Sequence, residues 1–389
     1  MDAAGRHCRR IWKRRPPAGP QTSVSREAVR YNRSVDDSRP MDAQPITTPV
    51  REAHRFDEGA LAAYLTRHLE GFGEPCSIVQ FEGGQSNPTF LLACPGRRFV
   101  LRKKPPGRLL PSAHAVEREF RVMGALSGTD VPVCSMLLLC ENSTVIGTPF
   151  IVMEHVEGRV FHDPTLPGVD PEARAAIYKD SISVLSALHG VRPSRVGLER
   201  FGKPGNYYAR QISRWSRQYE ASETRTIASM DRLVRWLPDN IPSAEETRVV
   251  HGDYRLGNMI VHPTEPRIIT VLDWELSTLG DPLADLSYNL MTYYLPSRRH
   301  SNLVGNNPSV SGIPSRESQL SLYCELSGRD AMTHWNFYLA FSMFRSAAIG
   351  QGVYKRGLDG NASSATALEL GREVESTADI AWSIANREG

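Results

Sequence analysis

The sequence predicts an α+β chain of two unequal parts, a small antiparallel sheet with one helix and then a larger, mainly helical part. Two observations carry this. Over residues 77–154, short apolar runs alternate with turn residues, and a single stretch shows helical spacing. From Pro171 onward long helical patterns dominate, interrupted by one compact strand–loop–strand segment over residues 248–274. The division falls near Met153 to Val156. The organisation expected is therefore a basic leader without a fold over residues 1–50, the sheet-rich lobe over 51–154 and the helical lobe over 155–389.

The elements follow in order. Leu61, Tyr64, Leu65 and Leu69 recur at helical spacing over residues 60–69. Residues 77–81 form a strand, Glu82 to Asn87 a glycine-containing turn, and residues 89–93 a returning strand. Pro95-Gly96 turns again into a third strand over 98–102. Residues 113–126 read as a helix, with Val116, Phe120, Met123 and Leu126 along one stripe. Two more strands, 136–140 and 149–154, flank a polar turn at Asn142 and Ser143, and a helix over 173–188 opens the second part.

Composition narrows the class. A chain of 389 residues that is 40% apolar and 23% charged suits an ordinary globular protein of two modest domains or one bilobal one. Its net charge of +3 is too small to argue for nucleic acid or a membrane surface. No apolar run approaches the roughly 20 residues of a membrane helix. The six cysteines are widely spaced, with no C-x-x-C pair. Neither a zinc site nor a redox pair is indicated, and thiols acting as small hydrophobes in a reducing compartment are expected. Arg9, Arg10, Lys13, Arg14 and Arg15 cluster in the leader. They fit a disordered tail, an upstream start before Met41, or a mitochondrial transit peptide. The location expected is cytoplasmic, or mitochondrial if the leader is a targeting sequence.

The densest chemistry lies in His251-Gly252-Asp253-Tyr254-Arg255-Leu256-Gly257-Asn258. An apolar Met259-Ile260-Val261 run and a turn follow, then Ile268-Ile269-Thr270-Val271-Leu272-Asp273-Trp274-Glu275. This is an acid, an amide five residues on, and a second acid ending the next strand. Phosphoryl transfer needs that set: a carboxylate to orient the attacking hydroxyl and accept its proton, and oxygen ligands for Mg²⁺. Asp253 suits the first task, Asn258 and Asp273 the second. His251 suits bracing of the loop. Asp281 before Pro282 suits a helix N-cap, Asp285 a hold on the loop backbone, and His189 a cap or packing position.

On the H-G-D-x-x-x-x-N and L-D-W-E runs, the chain resembles the aminoglycoside phosphotransferase family, relatives of the protein kinases. The resemblance implies a bilobal protein-kinase-like fold, ATP and Mg²⁺, and a small-molecule hydroxyl acceptor. Gly83, Gly84, Gln85, Ser86 and Asn87 would then be the loop covering the nucleotide, although alone they are a plain hairpin turn. The Val100-Leu101-Arg102-Lys103-Lys104 run places Arg102 where kinases carry the third-strand lysine. Lys103, one residue on and facing the other side of the sheet, stays as the alternative. Glu119 is the helix acid expected to pair with that residue, with Glu117 as its rival. The segment from Pro149 to Val156 corresponds to the hinge, which implies backbone contacts to adenine from Glu154 and Val156.

The likeness extends to the phosphotransferase domains attached to acyl-CoA dehydrogenases ten and eleven, on Leu101 to Gly107, Leu110 to His114, Glu117 to Phe120, Asn206 to Gln211 with Trp215, and Phe344 to Tyr354. It implies a hydroxyacyl-CoA or hydroxy acid as acceptor, with Arg210, Arg214, Arg217, Arg345 and Arg356 as anion contacts and Tyr207, Trp215 and Tyr354 as an apolar wall. Two rivals stand beside this. A protein kinase is disfavoured, because no A-P-E run and no activation loop of normal length follows Asp273. A nucleotide-binding pseudokinase is left open by Arg102 in the lysine's place.

Overall fold

The alternating runs of the first half form a six-stranded antiparallel sheet in a computed structural model, which describes residues 47–82, 87–105, 115–296, 302–360 and 367–387. Its strands are β1 (Thr47–Thr48), β2 (Ser77–Phe81), β3 (Thr89–Cys94), β4 (Arg97–Lys103), β5 (Met136–Cys140) and β6 (Phe150–Glu154), in the order β1-β2-β3-β4-β6-β5. The predicted strands are present within one or two residues. β1 was not predicted, because two residues are too few to show a period. The glycine turn at Gly83, Gly84, Gln85 and Ser86 lies outside the described residues. So do the leader with Met41 and the Leu110 to His114 run.

The two faces of the sheet pack differently because side chains alternate. Helix α1 (Glu58–His68) covers one face, with Leu61 and Leu65 buried against Phe90, Leu92, Phe99, Leu101 and Val152. Its start is fixed by Asp57, whose side chain accepts a hydrogen bond from Ala60 N at 2.8 Å. Helix α2 (Val116–Leu126) belongs to the larger core, where Val116, Val122, Met123 and Leu126 join Ile151 and Met153. Leu101 and Lys103 therefore share the α1 face, while Arg102 faces the other way.

The second half holds α3 (Pro171–Gly190), α4 (Tyr207–Ser222), α5 (Ala228–Asp239), α6 (Pro282–Leu290), α7 (Arg316–Ser327), α8 (Trp335–Leu358) and α9 (Ala367–Ala385). Asp170 caps α3 and Asp281 caps α6, each followed by proline at the first helical position. Four short strands interrupt the helices: β7 (Arg248–Val250), β8 (Met259–Val261), β9 (Ile268–Val271) and β10 (Thr278–Gly280). They pair as β7 with β10 and β8 with β9. Among the described residues no helix is long and apolar enough to cross a membrane.

One expectation is corrected. Cys76 and Cys94 form a disulfide, because antiparallel pairing of Ser77 with Ala93 sets the two cysteines beside each other at the end of the β2–β3 hairpin. Cys134 and Cys140 remain free, buried thiols.

Trp274 is fully buried where the strand–loop–strand segment meets the core. Its ring lies 4.7 Å from that of His251, and its Nε1–H donates to Val271 O at 2.9 Å. Trp274→Ala is expected to cost roughly 3–5 kcal/mol of stability through the cavity it leaves. A urea titration followed by circular dichroism checks this, and an unchanged midpoint would contradict the packing described.

Candidate functional site

The loop from His251 to Asn258 is held by its own chain and by α6. Buried Asp285 on α6 accepts hydrogen bonds from His251 N at 2.6 Å and Gly252 N at 2.8 Å. Burial pushes the Asp285 carboxyl up, but His189 and the loop N–H groups outweigh it and hold the carboxyl below its ordinary value. His189 lies buried between Asp285 and the Tyr323 hydroxyl, and burial lowers its basicity. His251 is a brace. Its Nε2–H donates to Leu272 O at 2.8 Å, and its Nδ1 accepts from Asp253 N at 3.1 Å. Gly252 is required at its position: its φ is +84°, and an added Cβ would come within 2.8 Å of Leu276 O.

Strand pairing then brings Asn258 and Asp273 together. Met259 pairs with Val271, and Leu272 N donates to Asn258 O at 2.8 Å, so Asp273 follows directly beside the loop. Asp273 adopts a left-handed backbone, φ 65° and ψ 58°, which costs a non-glycine residue about 1 kcal/mol and turns the chain sharply after β9. Asn258 Nδ2 donates to Asp253 O at 2.9 Å and to Asp253 Oδ2 at 2.7 Å, which leaves the amide oxygen as its outward acceptor.

Opposite this group stands Arg102 on β4. Its guanidinium lies 2.9 Å from Asp273, 3.3 Å from Glu275 and 3.4 Å from Glu119. Burial alone would lower its basicity, but the three carboxylates raise it. Glu119 is 1% exposed, and burial pushes it up to about 7; Arg102 pulls it down, while the like charges of Asp273 and Glu275 push it further up. Asn87, at the end of the glycine turn, donates to Glu119 at 3.1 Å and to Glu275 at 3.4 Å. Lys103 lies on the α1 face, buried 5.7 Å over the Phe56 ring, away from this cluster. Glu117 pairs with Lys104 rather than with Arg102.

At the end of β6, Glu154 N donates to Ser135 O at 2.9 Å, while among the described residues none accepts a hydrogen bond from Val156 N. Beside Asp253 opens a cleft of about 230 Å³ whose walls include His162, Tyr178, Arg255, Leu256, Tyr288 and Met291. Arg255 Nε lies 3.4 Å from the Asp253 carboxylate, and the Tyr288 hydroxyl donates to Asp253 Oδ1 at 2.5 Å. Arg255, Glu275 and Tyr288 were missed as site residues. For the first two, adjacency to the motifs was the available signal.

The predicted cluster of arginines and aromatic residues on α4 and α8 does not line this cleft. Arg210 donates to Lys203 O, Tyr207 packs against Tyr208 and Phe341, and Trp215 is buried beside Arg214 and Arg345. Tyr207, Trp215 and Arg345 face the helical core, because their helices pack on each other there, whereas Arg214 is exposed.

Comparison with known proteins identifies the family and the fold. The model of the phosphotransferase enzyme family covers residues 77–306. Acyl-CoA dehydrogenase family member 10 of Mus musculus is 48% identical over 351 residues, 89% of this chain and 33% of the mouse protein. Acyl-CoA dehydrogenase family member 11 of Rattus norvegicus is 44% identical over 358 residues, 89% of this chain and 45% of the rat protein. The chain thus spans a third to just under half the length of these relatives. A crystal structure of an aminoglycoside phosphotransferase-type protein from Ralstonia eutropha is 50% identical, with a TM-score of 0.78 over 85% of this chain and 98% of that one. The fold is shared at 16% identity, with a TM-score of 0.56, by aminoglycoside phosphotransferase APH(4)-Ia in ternary complex with AMP-PNP and hygromycin B; the match covers 85% of this chain and 99% of that one. With more than half of its residues inside the matched region, the chain belongs to the phosphotransferase enzyme family and has the kinase-like fold of the aminoglycoside phosphotransferases.

Proposed function

We propose that the chain is an ATP-dependent small-molecule kinase that transfers the γ-phosphate to a hydroxyl of a hydroxyacyl-CoA or hydroxy acid. The observation that carries this reading is the grouping of Asp253, Asn258 and Asp273 on one loop and one strand end, facing Arg102. Asp253 is the base: its carboxylate is held by Tyr288 and lies 3.4 Å from Arg255, two residues of the cleft wall, and from there it would orient an acceptor hydroxyl and take its proton. Arg255 brings positive charge to the same wall, where phosphoryl charge must be met during transfer. Arg102, oriented by Glu119, meets the α- and β-phosphates. The backbone of Glu154 and Val156 holds adenine, and Asn87 ties the nucleotide-covering turn to the site.

Mg²⁺ is commonly held by one or two protein oxygens together with phosphates, and Asn258 Oδ1 with the partly exposed Asp273 carboxylate fits that donor set. When bound there, the ion would neutralise phosphate charge. The acceptor class rests on the cleft, which combines apolar Tyr178, Leu256 and Met291 with cationic Arg255. It rests also on the relatives, whose names place them among acyl-CoA dehydrogenases.

The test is transfer of labelled γ-phosphate from Mg·ATP to hydroxyacyl-CoAs, hydroxy acids, aminoglycosides, choline and homoserine. Label is expected on a hydroxyacyl compound, and Asp253→Asn should lower the rate at least about 10²-fold. Label on another acceptor would discard the substrate class. Equal turnover by Asp253→Asn would discard the base and favour a different mechanism.

Glu119 gives a pH-dependent counterpart. Its folded value of about 7 exceeds its ordinary 4.5, so its contribution to stability is complete below the latter and is lost as pH rises through the former. Without nucleotide, the melting temperature of wild type relative to Glu119→Gln is expected to fall from about pH 5 to about pH 8. A difference that is constant or rises over that range would contradict the burial argument.

A further inference from the structure

Asp253 is gripped by more than its own loop. Oδ2 accepts from Asn258 Nδ2 at 2.7 Å, and Oδ1 accepts from the Tyr288 hydroxyl at 2.5 Å. Tyr288 lies on α6, one turn beyond the Asp285 that holds the loop backbone, so a single helix fixes both the loop and its carboxylate. The Tyr288 ring in turn packs under the guanidinium of Arg345 on α8, at 5.5 Å, and Trp215 lies 5.6 Å from the same guanidinium.

Arg345 is unusual in its surroundings. It is 6% exposed, and among the described residues no carboxylate pairs with it. Its Nη2–H donates to Gly252 O at 2.6 Å, while its Nε is buried without a hydrogen-bond partner. A buried cation with no counter-ion is unfavourable unless its charge and hydrogen bonds are used locally. Here the local uses are the carbonyl of the residue before Asp253 and the aromatic face of the tyrosine that holds Asp253.

We propose that Tyr288 and Arg345 are positioning residues for phosphoryl transfer. Tyr288 locks the rotation of the Asp253 carboxylate, and Arg345 holds both the Tyr288 ring and the Gly252 carbonyl beneath it. With one oxygen bound by Asn258 and the other by Tyr288, the carboxylate has one orientation, and its remaining lone pairs are directed by these two donors. Tyr288 also forms part of the cleft wall, so the residue that sets the carboxylate's rotation borders the acceptor. Small misplacement of a reacting group costs large factors in rate, which is why such a bracket matters. The inference rests on Asp253 being the base.

The experiment measures kcat and the KM for Mg·ATP of wild type, Tyr288→Phe, Arg345→Lys, Arg345→Met and Asp253→Asn, with hydroxyacyl-CoAs and with water as acceptors. Tyr288→Phe keeps the ring under Arg345 and removes one hydrogen bond. It is expected to lower kcat about tenfold or more, with the KM for ATP within about twofold and the melting temperature unchanged. Arg345→Met should lower kcat similarly, and Arg345→Lys should recover part of the loss. Wild-type kcat in Tyr288→Phe, with Asp253→Asn inactive, overturns the positioning role and leaves the base in place. An active Asp253→Asn, or no wild-type turnover with any acceptor, overturns the base assignment and this inference with it. If Tyr288→Phe does not fold, the Arg345→Lys and Arg345→Met pair decides: unchanged kcat in both overturns the proposal, and the graded loss supports it.

Discussion

The guanidinium of Arg102 reaches from the sheet into the helical half and is shared by the carboxylates of Glu119, Asp273 and Glu275. Everything at the site is arranged around this imbalance of one buried cation against three acids. Glu119 comes from α2, Asp273 and Glu275 from the turn after β9, and Asn87 from the end of the glycine turn. The cluster therefore joins four separate chain segments at one point. Its acids outnumber the one guanidinium, and burial together with Asp273 and Glu275 pushes the Glu119 carboxyl up while Arg102 pulls it down. That is the electrostatic condition a metal–nucleotide complex would meet in the proposed reading.

A second layer supports the loop from below. Asp285 binds its backbone, His251 ties it to Leu272, and Asn258 and Tyr288 hold the carboxylate of Asp253. Asp285 and Tyr288 both lie on α6, so the loop and its carboxylate are referenced to one rigid helix as well as to the loop's own contacts. Arg345 adds a buried cation under the same loop from α8, the longest helix described. The end of the site around Asp253 is consequently built almost wholly by the helical half, and the end around Arg102 receives Arg102 from the sheet.

Much of this was legible in the sequence, for physical reasons. The strands were readable because one face of the sheet is covered by α1 and alternation follows from that. The acid–amide–acid spacing around Asp253, Asn258 and Asp273 was readable because two short strands and a tight turn leave few ways to connect them. Period-two alternation also anticipated that Arg102 and Lys103 face opposite ways, but which face carried the site needed α1 and α2 to be placed. Long-range partners were not legible. Tyr288 lies 35 residues from Asp253 on an apolar helix, where its spacing reads as core. Arg345 drew attention as a positive charge, yet only packing reveals that it turns to Gly252 instead of solvent. The Cys76–Cys94 pair was missed because it depends on strand register and has no motif spacing.

In the proposed reading Arg102 meets phosphates and Asp273 meets Mg²⁺, so the pair they now form would part when nucleotide binds. A crystal structure of the protein with Mg²⁺ and AMP-PNP tests it directly. The expected result is Mg²⁺ held by Asn258 and Asp273, and Arg102 withdrawn from Asp273 to the phosphates while still paired with Glu119. Phosphates placed against Lys103, or an Arg102–Asp273 pair left intact with nucleotide bound elsewhere, would contradict it.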